Sequence, residues 1–161
     1  MNFFVWLSET GLATAIRESH SLWLYPTILT AHTIGLSLLV GFNVVIDARV
    51  LGFGRGGPLA PLAILFKIMW VGFWLNALSG VALFIIDAPA KVENPAFLIK
   101  LGFIAAGVVL LSLMQRSVFG RGEVIDHGPV SSRAKQIAIL SLICWTGAIT
   151  AGRLMAYFAL G

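Results

Sequence analysis

Apolar residues fill four stretches of this chain, each long enough to cross a bilayer, and polar residues collect in the connections between them. The first stretch, Leu22 to Ile46, reads LWLYPTILTAHTIGLSLLVGFNVVI; Arg17, Glu18 and His20 flank it on one side, Asp47 and Arg49 on the other. A helix rising about 1.5 Å per residue needs about 20 apolar residues to span the hydrocarbon layer. Leu62 to Ile86, Ala96 to Gln115 and Ile137 to Phe158 meet the same requirement. None of them alternates in polarity as a barrel strand does. The pattern predicts a single domain over residues 1–161: an all-α integral membrane four-helix bundle with spans near 22–46, 62–86, 96–115 and 137–158. A short N-terminal interfacial segment precedes it.

That segment, Phe3 to Ile16, offers Phe3, Trp6 and Leu7 as apolar surface and an i,i+4 pair in Leu12 and Ile16. Ser8 or Thr10 suits a helix start, and Gly11 argues against one continuous helix; an irregular arm over the bundle is the alternative. A signal peptide fits poorly, because no basic region precedes the apolar residues and Ser8, Glu9 and Thr10 interrupt them. The connection Gly52 to Pro61, GFGRGGPLAP, breaks helix by both glycine and proline and lacks the GKS/T ending of a phosphate loop. Asp87, Pro89, Lys91 and Glu93 make a short polar turn. Arg116 to Gln136 is the longest connection, with Ser131 or Ser132 placed to cap the last helix.

Small residues recur at helical spacing. Thr27, Ala31 and Gly35 form one stripe on the first span, and Ser37 with Gly41 another pair. Gly72, Asn76 and Gly80 share a face of the second, and Gly102 with Ala106 makes a pair on the third. Such positions let helices approach closely in lipid.

Composition agrees with this reading. Of the 161 residues, 58% are hydrophobic and 11% charged, where a soluble domain carries about 25% charged residues. The net charge of +4 does not point to nucleic acid, because the basic residues sit in short connections where they orient helices against lipid. A single cysteine, Cys144, excludes an internal disulfide and any cysteine-pair metal motif. The connections after the first and third spans hold Arg49, Arg55, Arg116, Arg121, Arg133 and Lys135. The opposite side holds Arg17 and Lys91, with Lys100 and Arg153 inside helix ends. The positive-inside rule then makes both termini periplasmic in a bacterial inner membrane.

Ionisable residues inside spans are functional candidates, since an unpaired one in lipid costs several kcal/mol. Centring the spans on the bilayer brings His32, Asn76 and Arg153 to compatible depths in the outer half, and Arg153 shares a helix face with Thr146, Thr150 and Tyr157. His32, Asn76, Arg153 and Tyr157 are therefore the candidate cofactor-binding residues. The bland alternative is that these groups fasten helices together while Arg153 snorkels to the interface. Arg153 has no central acid in any span to pair with, and Asp87 is the nearest intrachain candidate. Bis-histidine haem within one chain is excluded by geometry: His20 and His32 stand about 18 Å apart along a helix, and His127 lies in a connection on the far side. Haem b would need a single-histidine, His–Met or intersubunit arrangement. The same scatter argues against structural zinc, and no metal ligand set is assigned. HExxH, GxSxG and a central carboxylate pair are all absent.

The segments IRESHSLWLYP, AHTIG around His32, FNVVIDARVLG, LSGVALFIIDAP, NPAFLIKLG and the arginine of AGRLMAY resemble a family of uncharacterised bacterial four-helix membrane proteins. The architecture is also similar to cytochrome b561-type and copper-resistance-D-type bundles, although the paired haem histidines of the b561 type are not present. The resemblance implies a fold and an inner-membrane location, and no residue roles. The functional expectation is a small accessory or anchoring subunit held by the lipid bilayer and a membrane protein partner or second copy. The alternative is an electron-transfer or transport component that binds a cofactor, quinone or small molecule near His32, Asn76 and Arg153.

Overall fold

The structure, a computed structural model, describes residues 3–11, 14, 23–54, 60–86, 88–119 and 130–158. Among these residues there is no strand. The α-helices with described bounds are, in chain order, α1 (Phe3–Ser8), α2 (Leu24–Leu51), α3 (Ala63–Ile86), α4 (Ala88–Glu93), α5 (Pro95–Met114) and α6 (Ser132–Phe158). Four of them, α2, α3, α5 and α6, are long and apolar enough to cross a membrane.

Local chemistry sets the helix ends. The α2 helix does not stop at Ile46 but continues through Asp47 and Arg49 to Leu51. There Gly52 adopts a φ of 101°, and the amides of Gly52 and Phe53 return to the carbonyls of Arg49 and Ala48. Only glycine reaches this left-handed conformation without a steric penalty, so it closes the last turn. At the start of α5, the Asn94 side chain accepts from the Ala96 amide at 3.0 Å, and Pro95 fills the first helical position, where its missing donor costs nothing. Ser131 caps α6 through its Oγ, which accepts from the Ala134 amide at 3.2 Å. The cap places the start of α6 five residues before Ile137, inside what the sequence suggests is connection. Beyond Met114, α5 widens into a π-helical turn over Gln115–Phe119. In the N-terminal segment, Ser8 closes α1 rather than opening a helix, its hydroxyl bonding back to the Val5 carbonyl at 2.9 Å. The α1 helix packs on α4 and α3.

The four long helices form two antiparallel hairpins, α2 with α3 and α5 with α6, joined by contact of α2 with α6. Each hairpin is seamed by glycine. A Cβ on Gly35 would lie 2.6 Å from the Asn76 backbone nitrogen, and one on Gly72 would lie 2.9 Å from the Gly35 oxygen. In the other hairpin, Trp145 lies over Gly107 and Phe103 lies over Gly147, with Cβ positions 3.0 and 2.8 Å from the rings. Gly102 and Gly41, by contrast, have nothing within 4 Å of a Cβ. The pairs Gly102–Ala106 and Ser37–Gly41 therefore face outward, and the close approach of α5 to α6 rests on Gly107 and Gly147 instead.

Between the hairpins a buried cluster runs through Leu39, Ile46 and Val50 of α2, Phe66 and Met69 of α3, Leu111 and Met114 of α5, and Ala138, Trp145 and Ala148 of α6. The outside is equally apolar: Val71, Trp74, Leu78, Leu98, Val109, Leu140 and Ile143 are all exposed. Such a surface suits lipid, where helix association relies on close packing and hydrogen bonds rather than on removing apolar area from water.

Candidate functional site

Polar groups inside the bundle fall into two clusters. The first lies on the α2–α3 seam and contains His32 and Asn76. The His32 ring Nδ1 sits 3.0 Å from the Asn76 backbone oxygen and 3.2 Å from Ser79 Oγ. In return, Asn76 Nδ2 donates to the His32 backbone oxygen at 2.8 Å. Each side chain thus bonds to the other residue's main chain. A carbonyl only accepts, so Nδ1 carries the hydrogen in this clamp and Nε2 is the ring nitrogen left outside it. Gly80 makes room for the ring, which would stand 3.1 Å from a Cβ there. Gly72, Asn76 and Gly80, one turn apart on α3, all meet α2.

Arg153 and Tyr157 do not join this clamp. Arg153 is exposed on α6, with no counter-ion among the described residues. The side chain of Tyr157 lies outside the described residues, as do Glu18, His20, Asp87 and His127. The polar face suggested for α6 is largely self-satisfied: Thr150 Oγ1 bonds back to the Thr146 carbonyl at 2.8 Å. Thr33 and Ser37 on α2 do the same toward Leu29 and Thr33, both at 2.9 Å. Hydroxyls returned to their own helix leave methyl groups and hydrogen-bonded oxygens outside, a surface that lipid accepts.

One basic residue, not assigned to the site from sequence, belongs near it. Lys100 of α5 is half-buried, its stem lying along Gly152 of α6, 3.6 Å from where a Cβ would stand. The third glycine of the α5–α6 seam accommodates that stem. The signal was present in the spacing, since Lys100–Gly152 continues the antiparallel register of Phe103–Gly147 and Trp145–Gly107.

The second cluster escapes a reading by hydropathy altogether. Asn43 and Asp47 of α2 are 2% and 1% exposed, and Ser141 of α6 is 2% exposed. Asn43 Nδ2 donates to Asp47 Oδ2 at 2.5 Å and to Ser141 Oγ at 2.8 Å. Asn43 and Asp47 stand one turn apart and so share a face. They meet α6 where it crosses α2, and fasten the two hairpins together. Asp47 looks like a flank because charged residues commonly end apolar runs. The continuation of α2 to Leu51 turns it inward instead. No group of three or more His, Cys, Asp or Glu among the described residues is placed to hold a metal ion.

Four apolar helices of spanning length, large apolar side chains turned outward and polar groups paired inside define an all-α, multi-pass membrane protein. Comparison with protein-family models, with curated proteins and with solved structures finds no match.

Proposed function

We propose that the chain is a small accessory or anchoring subunit of a larger complex in the bacterial inner membrane, with both termini periplasmic. The observation that carries this reading is how the small residues divide. Gly35, Gly72, Gly107 and Gly147 are consumed by the internal seams, whereas Gly41 and Gly102 lie on the outside over open space. Outward glycines, Gly41 with the self-satisfied Ser37 hydroxyl one turn before it and Gly102 with Ala106, form surfaces on which another membrane helix packs closely. The use of His32 supports the same view, since its Nδ1 holds α2 to α3 through a main-chain oxygen and Ser79.

Because a side chain at Gly102 meets nothing in this chain, Gly102→Leu leaves the bundle intact and obstructs only a neighbour. Gentle purification from the native membrane recovers a partner chain with the wild type and less of it with Gly102→Leu, while thermal unfolding of the purified subunit stays the same. Recovery of the wild type as a lone monomer would sink the proposal.

Lys100 favours a second reading, the electron-transfer or transport component. A half-buried ammonium beside Gly152, with Arg153 next in sequence and no acid described against either cation, suits a carboxylate or other anionic group of a small molecule or cofactor. Arg153→Leu separates the two readings: loss of complex recovery marks a partner contact, and loss of ligand with assembly preserved marks a pocket.

A further inference from the structure

We propose that His32 and Lys100 form a binding site for the head group of a lipid-soluble quinol, in a layer of the bundle interior where the facing positions of α3 and α6 are glycine. The site rests on the second reading above, a component that binds a small molecule, and narrows the class of molecule. Four contacts fix the layer. The Asn43–Ser141 hydrogen bond sets the antiparallel register of α2 and α6. Eleven residues back along α2 from Asn43 is His32, and eleven forward along α6 from Ser141 is Gly152. Eleven residues make about three full turns, so the two arrive at one level on faces that already meet. The His32 ring lies over Gly80, 3.1 Å from where a Cβ would stand, and the Lys100 stem lies over Gly152. Phe84 and Phe97 stack at 5.4 Å between α3 and α5, and Gly80 and Lys100 each stand about one turn from them, farther from α4.

The layer is open as well as polar. His32, Gly80, Lys100 and Gly152 are half-buried, whereas Leu39, Gly72, Gly107 and Trp145, two turns deeper on the same helices, are buried. Lys100 stands five residues from Pro95 and His32 eight from Leu24, about 8–12 Å inside the helix ends. That depth belongs to the hydrocarbon layer, so the occupant is a molecule that dissolves in the bilayer. The hairpins join through α2 and α6, so it enters between α3 and α5, beneath the Phe84–Phe97 stack.

The donors and acceptors select the reduced form. Nδ1 gives its hydrogen to the Asn76 carbonyl, so neutral His32 offers a lone pair at Nε2, which has no described partner. Lys100 offers only donors. One hydroxyl of a hydroquinone donates to Nε2 while its oxygen accepts from the ammonium. A quinone carries acceptors alone and sets a carbonyl oxygen against the Nε2 lone pair. A carboxylate satisfies Lys100 but meets the same repulsion at His32.

The test is equilibrium binding of a decyl-substituted hydroquinone to the full chain in lipid nanodiscs, corrected for partition into empty discs. Its quinone, its dimethyl ether and a decyl-substituted benzoate are the comparison probes. The hydroquinone binds saturably, one molecule per chain, and about tenfold or more tighter than the quinone or the ether, which lack the donated hydroxyl. Lys100→Met keeps an apolar stem on Gly152, removes the ammonium and weakens that binding about tenfold. The 15N signal of His32 Nε2 in the unaltered chain moves with the hydroquinone and stays with the ether, a readout that needs no variant to fold. Equal partition of all probes into loaded and empty discs would overturn the site and the small-molecule reading together. Preference for the benzoate, or hydroquinone binding that leaves the Nε2 signal in place or survives Lys100→Met, would overturn the quinol site and leave that reading standing.

Discussion

At the scale of single residues, the bundle shows that a polar group in a span is defined by its partner more than by its identity. His32 and Asn76 exchange bonds with each other's main chain, so neither presents its clamped group to a ligand. Trp145 is the contrary case. It is 1% exposed, it packs flat on Gly107, and its Nε1 is the one buried side-chain nitrogen or oxygen among the described residues without a hydrogen-bond partner. An unsatisfied buried donor costs about 1–3 kcal/mol, which offsets much of what the larger ring contributes by packing. Trp145→Phe removes the unpaired N–H while keeping an aromatic ring over the glycine, so its unfolding free energy stays within about 1 kcal/mol of the wild type. Trp145→Ala empties the site and costs about 3–5 kcal/mol. Equilibrium unfolding in mixed micelles, followed by helical circular dichroism, compares them; a Phe variant as damaged as the Ala variant would mean that the indole N–H is satisfied after all.

At the scale of elements, the seams are where helix geometry becomes stability. A Cβ on Gly35 would press against the Asn76 backbone nitrogen, which cannot move without its helix. Gly35→Ala therefore forces α2 from α3, at a cost of about 1–3 kcal/mol. Gly41→Ala, six residues along the same helix and facing open space, leaves stability unchanged or slightly higher because alanine is the better helix former. The two substitutions are chemically identical, so equal effects in the same unfolding measurement would refute the assignment of the seam. The contrast also explains what hydropathy made legible. Ser131 announces the cap of α6, whereas hydropathy stops the first span at Ile46 and starts the last at Ile137, short of the ends that Gly52 and Ser131 set. The face of α3 that meets α2 is legible as well, because Asn76 stands between Gly72 and Gly80 and marks the inward side. On α5 no polar residue does that office between Gly102 and Gly107, and lipid makes both faces apolar. Nothing in the pattern then tells the outward glycine from the buried one. Asn43, Asp47 and Ser141 were hidden for a different reason: they become a cluster only when α2 runs on to Leu51 and α6 starts early enough to cross it.

At the scale of the whole molecule, two glycine-seamed hairpins meet through α2 and α6, and charge is distributed unevenly between the ends. One end carries Arg49 and, across the bundle, Arg133 and Lys135 at the start of α6 with Arg116 just past α5. The other end carries α4, against which the N-terminal α1 packs, so the beginning of the chain and the α3–α5 connection share a face of the molecule. Lys91 of α4 donates to the Leu83 carbonyl, which ties that connection back to α3 and engages its ammonium locally. Short connections with excess Lys and Arg stay cytoplasmic, because moving them across the membrane during insertion is unfavourable. The proposed orientation accordingly has the connections after Leu51 and after Met114 cytoplasmic, and α1, α4 and the C-terminus periplasmic. Reporter fusions after Leu51 and after Arg121 should both read cytoplasmic, and a fusion at the C-terminus periplasmic. Neutralising Arg49, Arg55, Arg116 and Arg121 together should increase the inverted fraction, since the remaining bias is small. A periplasmic signal from either basic connection in the unaltered chain would overturn the proposed orientation.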